Sequence, residues 1–341
     1  MRSVDRAAPS DENVTARTRS YAQHMVIKIG DEKACSEART ERYHMQHADL
    51  IRSNLMKIMR RSFAVVALVA GSSASGYVPA AAASDLASAW SEGKAETKAR
   101  LVAGSASGKQ MAAVEIELAE GWKTYWRFPG DAGGVPPMFN WEKSENVGSV
   151  KVLYPQPKRF SDKAGDTLGY KGSVAFPVVV EPKDASKPLS LKLTLEYGIC
   201  REVCVPVETE LNVEIPAGDT SALPASVTTA LDHVPRSSQM LRPGDPKLIK
   251  TEAKLEGPNP SLVIEAEFPG GTAKADAYIE SPEGFYIPLP KAGSGKDAGK
   301  DRLRFEIDLT GAVDPADIKG KDAKVTLVSE HGLSEATFKL E

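Results

Sequence analysis

Along 112–118 apolar and charged side chains alternate, the period-two pattern of a strand with one buried face. Similar runs recur over 174–180, 189–195, 208–215, 261–268, 275–279, 303–309, 324–329 and 336–340, separated by clusters of Gly, Pro, Asp and Ser. Many short strands with that punctuation predict a β-sandwich architecture rather than a βαβ fold. Between Pro216 and Pro246 the texture changes to Ala, Ser, Thr and Pro, with one short helix predicted over 225–232. The predicted class is all-β: two immunoglobulin-like β-sandwich domains in tandem, 84–216 and 247–341, joined by a linker over 217–246. Each is near the roughly 100 residues usual for such a sandwich.

Upstream the pattern is different. Met56-Lys57-Ile58-Met59-Arg60-Arg61 is basic, 63–70 is apolar, and Ala81-Ala82-Ala83 offers a small-residue cleavage site before Ser84. That order is the grammar of a secretory signal peptide over 56–83. Its apolar run is far short of the ~20 residues a spanning helix needs, so a soluble, exported, periplasmic protein is expected. Residues 1–55 are charged, lack a sustained apolar period and include Cys35. Translation is expected to start at Met56 or Met59, which leaves this segment as a mis-assigned start or a disordered tail. The rival reading is a cytoplasmic tail with an uncleaved anchor.

Composition removes some functions. The 341 residues hold 43 Lys and Arg against 46 Asp and Glu, a net charge of -3. Such a balance argues against nucleic acid and against an anionic membrane surface as partner. The glycine-rich stretches 104–109 and 293–296 lack the phosphate-loop spacing and read as turns. His233 and His331 have no nucleophile motif beside them and read as loop histidines. Asp131, Asp162 and Asp166 lie in Gly-rich loops and read as turn-making side chains. No small-molecule cofactor and no resident metal are expected.

The chemistry is expected at Cys200-Arg201-Glu202-Val203-Cys204, because leader cleavage would leave only these two of the three cysteines. In an oxidising compartment they would pair. Residues four apart in a strand are roughly 13 Å from each other, while the Cα atoms of a disulfide usually lie about 4.4–6.8 Å apart. The chain must therefore turn between them. Gly198 permits an unusual backbone angle, and Pro206 returns Val205 to an extended one, so a hairpin end is predicted with the cysteines at its neck or tip. So small a ring yields only about 2 kcal/mol of loop-closure stabilisation. Redox exchange, an inert staple and a two-sulfur Cu(I) site all remain open on spacing alone.

Gly121-Trp122-Lys123-Thr124-Tyr125-Trp126-Arg127, then Pro129-Gly130-Asp131-Ala132-Gly133 and Pro136-Pro137 leading to Trp141, carry a resemblance. Tyr154-Pro155-Gln156-Pro157, Gly169-Tyr170, Tyr197-Gly198-Ile199-Cys200 and Cys204-Val205-Pro206 continue it. Together these motifs resemble the amino-terminal periplasmic domain of the DsbD thiol:disulfide interchange family, above all its ScsB (suppressor of copper sensitivity) branch. The region after 247 is similar to the second half of the ScsB amino-terminal region.

The resemblance implies an immunoglobulin-like domain whose cysteine pair takes electrons from a membrane donor and passes them to periplasmic thioredoxin-like proteins. By it Cys200 and Cys204 are the exchanging thiols, and Cys204 forms the mixed disulfide. It also implies an aromatic cap over the pair, for which Phe160 is the candidate. Tyr125 and Tyr197 are the other aromatics placed near the thiols. The remaining aromatics Trp122, Trp126 and Phe128 divide between core and surface, because strand neighbours face opposite ways. Full-length relatives continue into membrane and thioredoxin-like domains, whereas this sequence stops at Glu341, so electrons are expected from a separate protein. The alternative function is a non-catalytic binding or copper-handling module with a loop-shaping disulfide.

Overall fold

The computed structural model describes residues 86–341 apart from Ser107 and Ala292; the leader over 56–83 and the segment 1–55 lie outside the described residues. The described chain is all-β. Strands β1 (Ser91–Glu92), β2 (Lys98–Ala106), β3 (Lys109–Glu117), β9 (Ser173–Pro182) and β6 (Val147–Val152) form one sheet in that order. A facing sheet runs β11 (Cys204–Ile215), β10 (Leu189–Cys200), β4 (Lys123–Tyr125), β8 (Gly165–Lys171) and β7 (Lys158–Asp162), with β5 (Met138–Asn140) also paired to β10.

The carboxy-terminal half holds two four-stranded sheets. One has the order β12 (Arg236–Ser237), β19 (Leu333–Lys339), β18 (Asp322–Val328), β15 (Asp276–Glu280). The other has the order β13 (Lys247–Lys254), β14 (Ser261–Glu267), β17 (Arg302–Asp308), β16 (Lys296–Gly299). Every run of alternation in the sequence is found as a strand. Alternation also fixes the faces: Leu189, Leu191, Leu193, Leu195, Tyr197 and Ile199 of β10 enter the core with Val114, Ile116, Phe176 and Val178. Lys192, Thr194 and Glu196 point away from it.

The stretch 217–246 packs onto both halves. Its helix α1 (Ala225–Asp232) buries Val227 beside Leu223, Val102, Met111 and Ala113. Gly104 is bare on the side where the backbone of Ser221 and Ala222 passes, and a Cβ there would stand 2.9 Å from the Ser221 carbonyl. Beyond the helix, Arg236 and Ser237 join β19 in parallel. Side-chain ties connect the two halves directly. Arg127 reaches Glu280 with Nε at 2.8 Å and Nη2 at 2.7 Å, and Glu335 at 2.8 Å. Burial opposes the Arg127 charge, but both carboxylates outweigh it and hold the guanidinium protonated. Beside it Trp126 stands edge-on to Tyr278, with ring centroids 6.2 Å apart. The described residues 86–341 accordingly cluster in one compact unit. Among the described residues no helix is long and apolar enough to cross a membrane.

Candidate redox site

Strands β10 and β11 form one antiparallel ladder without a slip, from Leu189 opposite Ile215 to Cys200 opposite Cys204. Arg201-Glu202-Val203 is the turn that closes it, and Cys200 and Cys204 are joined as a disulfide with Cα atoms 4.1 Å apart. The required turn is thus present, with the cysteines at its neck. Odd positions of β10 face the core, so Cys200 falls on the outer face of the sheet. Cys200 is covered to 9% exposure, whereas Cys204 is exposed and Val203 at the tip reaches 67%. A visiting thiol therefore meets the Cys204 side of the bond first.

Strand β4 sets the polar partner of that sulfur. Its register puts Thr124 opposite Ile199 and Lys123 opposite Cys200, and the Thr124 hydroxyl donates to the Gly198 carbonyl at 2.8 Å. Tyr125, two residues from Lys123, shares the cysteine face. Its Oη lies 3.1 Å from Cys204 Sγ. Burial, and then the Asp162 carboxylate, push the Tyr125 hydroxyl above its usual pKa. It stays protonated at neutral pH and is a donor to whatever charge develops on Cys204.

Tyr125 stands on an outer face yet is only 2% exposed. The loop 129–137 covers it. Gly134, at φ 148°, lies on the ring, and a Cβ there would overlap the ring atoms. Gly198 donates its N–H to the Val135 carbonyl at 3.1 Å. A Cβ on Gly198 would meet Val135 Cβ at 2.9 Å and the Tyr125 ring at 3.2 Å. Two glycines thus let a loop press a tyrosine against the strand that carries Cys200. Val135 and Met138 remain exposed beside them. On the other flank the Arg201 guanidinium sits 5.4 Å from the centroid of the half-buried Trp122 ring.

The other predicted site residues fall elsewhere. Tyr197 requires correction: three residues from Cys200 it has the opposite parity, is 1% exposed, and points into the core, with its hydroxyl 3.5 Å from Thr97. Phe160 is half-buried on β7, with β8 and β4 between it and β10, and its ring faces Lys171 Nζ at 4.7 Å. The aromatic group at the sulfur is Tyr125. The three aspartates do more than shape turns. Asp162 accepts from the Ala164 N–H at 2.8 Å and also pairs with Lys123 at 3.7 Å. Asp166 accepts from Arg159 at 2.6 Å, and Asp131 bonds to the carboxy-terminal half. Gly134 and Val135 were not singled out from sequence, although the run Gly130-Asp131-Ala132-Gly133-Gly134 marks a backbone built for close approach.

Among the described residues no group of three or more His, Cys, Asp or Glu stands together in a metal-holding arrangement. A cavity of about 810 Å³ on the carboxy-terminal half, lined by residues such as Glu252, Lys254, Arg304 and Glu306, includes none of the cysteine-face residues. The site is thus a surface disulfide with one hydroxyl donor and an apolar rim.

Residues 94–215 match the family model described as thiol:disulfide interchange protein DsbD, N-terminal. No curated protein matches the chain. Among solved structures, the N-terminal periplasmic domain of ScsB from Proteus mirabilis is similar in fold, with a TM-score of 0.57 and 24% identity over 75% of this chain and 99% of that one.

Proposed function

We propose, from the DsbD N-terminal family assignment of residues 94–215, that this chain is a periplasmic thiol:disulfide interchange protein working through Cys200 and Cys204. The observation that carries the reading is the position of the disulfide: outer face, hairpin neck, one sulfur exposed, a protonated hydroxyl 3.1 Å from it. In the dithiol form the Cys204 thiolate attacks one sulfur of a partner disulfide. The partner's S–S bond breaks, its other sulfur leaves as a thiolate and takes a proton, and a mixed disulfide remains. Cys200, deprotonated in turn, attacks Cys204 Sγ and releases the partner's second thiol. Two electrons and two protons pass to the partner, and this chain is left oxidised.

A membrane donor of DsbD or ScsB type restores the dithiol, and thioredoxin-like periplasmic proteins are the clients. We read 84–216 as the exchanging domain and 247–341 as a second immunoglobulin-like domain, with export through the leader at 56–83. Phe160, on the β7–β8 hairpin, is retained as a cap candidate for contact with a docked partner. The experiment is a redox titration combined with trapping by Cys200→Ala and Cys204→Ala variants in periplasmic extract. Cys200→Ala is expected to accumulate mixed disulfides through Cys204. A potential below about -300 mV, the range of structural disulfides, with no trapped complex in either variant, overturns the proposal. Anaerobic Cu(I) titration of the reduced protein tests the copper-handling alternative, which requires tight stoichiometric binding that a Cys200→Ser/Cys204→Ser variant abolishes.

A further inference from the structure

The carboxy-terminal half has no described cysteine, yet it bonds to the loop that covers Tyr125 and to the hairpin that braces this loop. Within the loop 129–137, Asp131 Oδ1 accepts from the Tyr286 hydroxyl at 2.9 Å and from the Leu289 N–H at 3.0 Å. Three residues later in the same loop Gly134 lies on the Tyr125 ring, and next to it the Val135 carbonyl takes the Gly198 N–H. On the β7–β8 hairpin, Arg159 donates to both oxygens of Asp276 at 2.9 Å, while its Nη1 holds Asp166 at 2.6 Å. The Asp166 carbonyl in turn accepts from the Ala132 N–H at 3.0 Å. The covering loop is therefore pinned at 131 by the carboxy-terminal half, braced at 132 by a hairpin fixed to that same half, and pressed onto Tyr125 at 134.

We infer that the carboxy-terminal sheets act as a positioning element for the redox site, with Asp131 the residue through which they hold Tyr125 Oη at Cys204 Sγ. The inference rests on the exchange reading for its purpose and on the hydrogen bonds alone for its geometry. Tyr286 is tuned to the same contact, since burial and then the Asp131 carboxylate keep its hydroxyl protonated and donating. Asp131 touches no reacting atom. It acts by keeping the loop down, so that the tyrosine hydroxyl is already aimed when negative charge appears on sulfur.

The sign of the effect separates positioning from simple charge. Removing a carboxylate near the site favours a thiolate on Coulombic grounds and would speed its alkylation. Releasing the Tyr125 hydroxyl from Cys204 withdraws a hydrogen bond from that thiolate and slows it. The test is the rate of iodoacetamide alkylation of Cys204 at about pH 7 in a Cys200→Ser background of the whole exported chain. Asp131→Ala is expected to lower the rate about three- to fivefold, the size of a net hydrogen bond of ~1 kcal/mol or less. Asp131→Asn, whose amide oxygen still accepts both bonds, keeps the rate at or above the parent's. Tyr125→Phe lowers the rate by a similar factor, and Asp131→Ala adds nothing on top of it.

Should Asp131→Ala unfold the chain, Tyr286→Phe tests the same tie from the other side and gives the same direction with a smaller factor. An unchanged or faster rate in folded Asp131→Ala or Tyr286→Phe, or additive losses in the double variant with Tyr125→Phe, overturns the inference. Those results leave partner trapping by the Cys200→Ala variant intact. Absence of trapping with the expected alkylation pattern removes the exchange reading instead and leaves the positioning in place.

Discussion

Each half carries a cross-link beside its strands, and the two links differ in kind. In the amino-terminal half the link is the Cys200–Cys204 disulfide, at the exposed end of a hairpin already zipped by its own ladder. In the carboxy-terminal half it is Asp245, 1% exposed, which takes Arg236 Nε at 2.6 Å and Nη2 at 2.5 Å. Asp245 also accepts the N–H groups of Arg242 at 2.6 Å and Leu333 at 3.2 Å. The ionic knot gathers donors from three points of the chain, Arg236, Arg242 and Leu333, onto one buried carboxylate. The disulfide joins residues that face each other anyway. A link that adds little to folding and lies open to solvent is suited to being broken, whereas a buried and saturated one is suited to being kept.

The largest effect that sharpens this contrast is Cys200→Ser/Cys204→Ser. Exchange is expected to fall to background while unfolding free energy drops by no more than about 2 kcal/mol, the loop-closure value for so small a ring. Denaturant unfolding measures the second half, and a loss far above that value would make the disulfide a staple. Asp245→Asn is the mirror experiment. It is expected to cost about 1–3 kcal/mol, since it leaves the half-buried Arg236 guanidinium without its charge partner, and to leave exchange at Cys200–Cys204 unchanged.

The pH dependence of that knot has a definite sign. Burial alone would raise the Asp245 carboxyl, but Arg236 and the two backbone N–H groups outweigh it and hold the carboxyl below its ordinary range. A depressed carboxyl contributes stability fully above its unfolded value of about 4. That contribution is lost as pH falls through the still lower folded value. Asp245→Asn should therefore flatten the acid limb of the stability curve. Acid unfolding curves that superimpose for the two proteins would contradict the assignment.

Gly134→Ala comes next in size. A methyl group at φ 148° would be strained and would overlap the Tyr125 ring, so the loop must lift. Strain of this kind costs on the order of 1–3 kcal/mol. The consequence specific to the site is loss of the Tyr125–Cys204 contact, read as increased quenching of Tyr125 by solvent and slower alkylation of the reduced protein. A melting temperature and alkylation rate equal to the parent's would show that the loop does not press on the ring.

Strands with clean alternation were legible in the sequence, and so was the helix, which spans Ala225–Asp232 as the composition of the linker predicts. The β7–β8 hairpin was not. Lys158-Arg159-Phe160-Ser161-Asp162 hides its inward position behind an arginine, whose side chain is 7% exposed because Asp166 and Asp276 neutralise it. Such a pair reads as surface until its partner, more than a hundred residues away, is known. The same distance concealed Asp131, whose partners lie 155 and 158 positions on. The cysteine turn was legible because disulfide geometry admits no extended chain between the two residues. Tyr197 is a different matter. Its parity relative to Cys200 already assigns it to the other face of β10, and proximity in sequence was a weaker guide than the period of the strand.

The smallest expected effect tests what the open end of the hairpin is for. Val203 is 67% exposed at the turn, close to the exposed Cys204, and contributes nothing to the core. Val203→Ser should therefore move stability by less than about 0.5 kcal/mol. If a protein partner docks over the disulfide, however, it buries that side chain, and its loss costs on the order of 1 kcal/mol of apolar burial. Stopped-flow exchange with a trapped partner is then expected to slow about fivefold, while reduction by dithiothreitol, which needs no docking surface, keeps its rate. Equal slowing of both reactions would mean that Val203 shapes the bond itself, and no change in either would place the docking face elsewhere on the sheet.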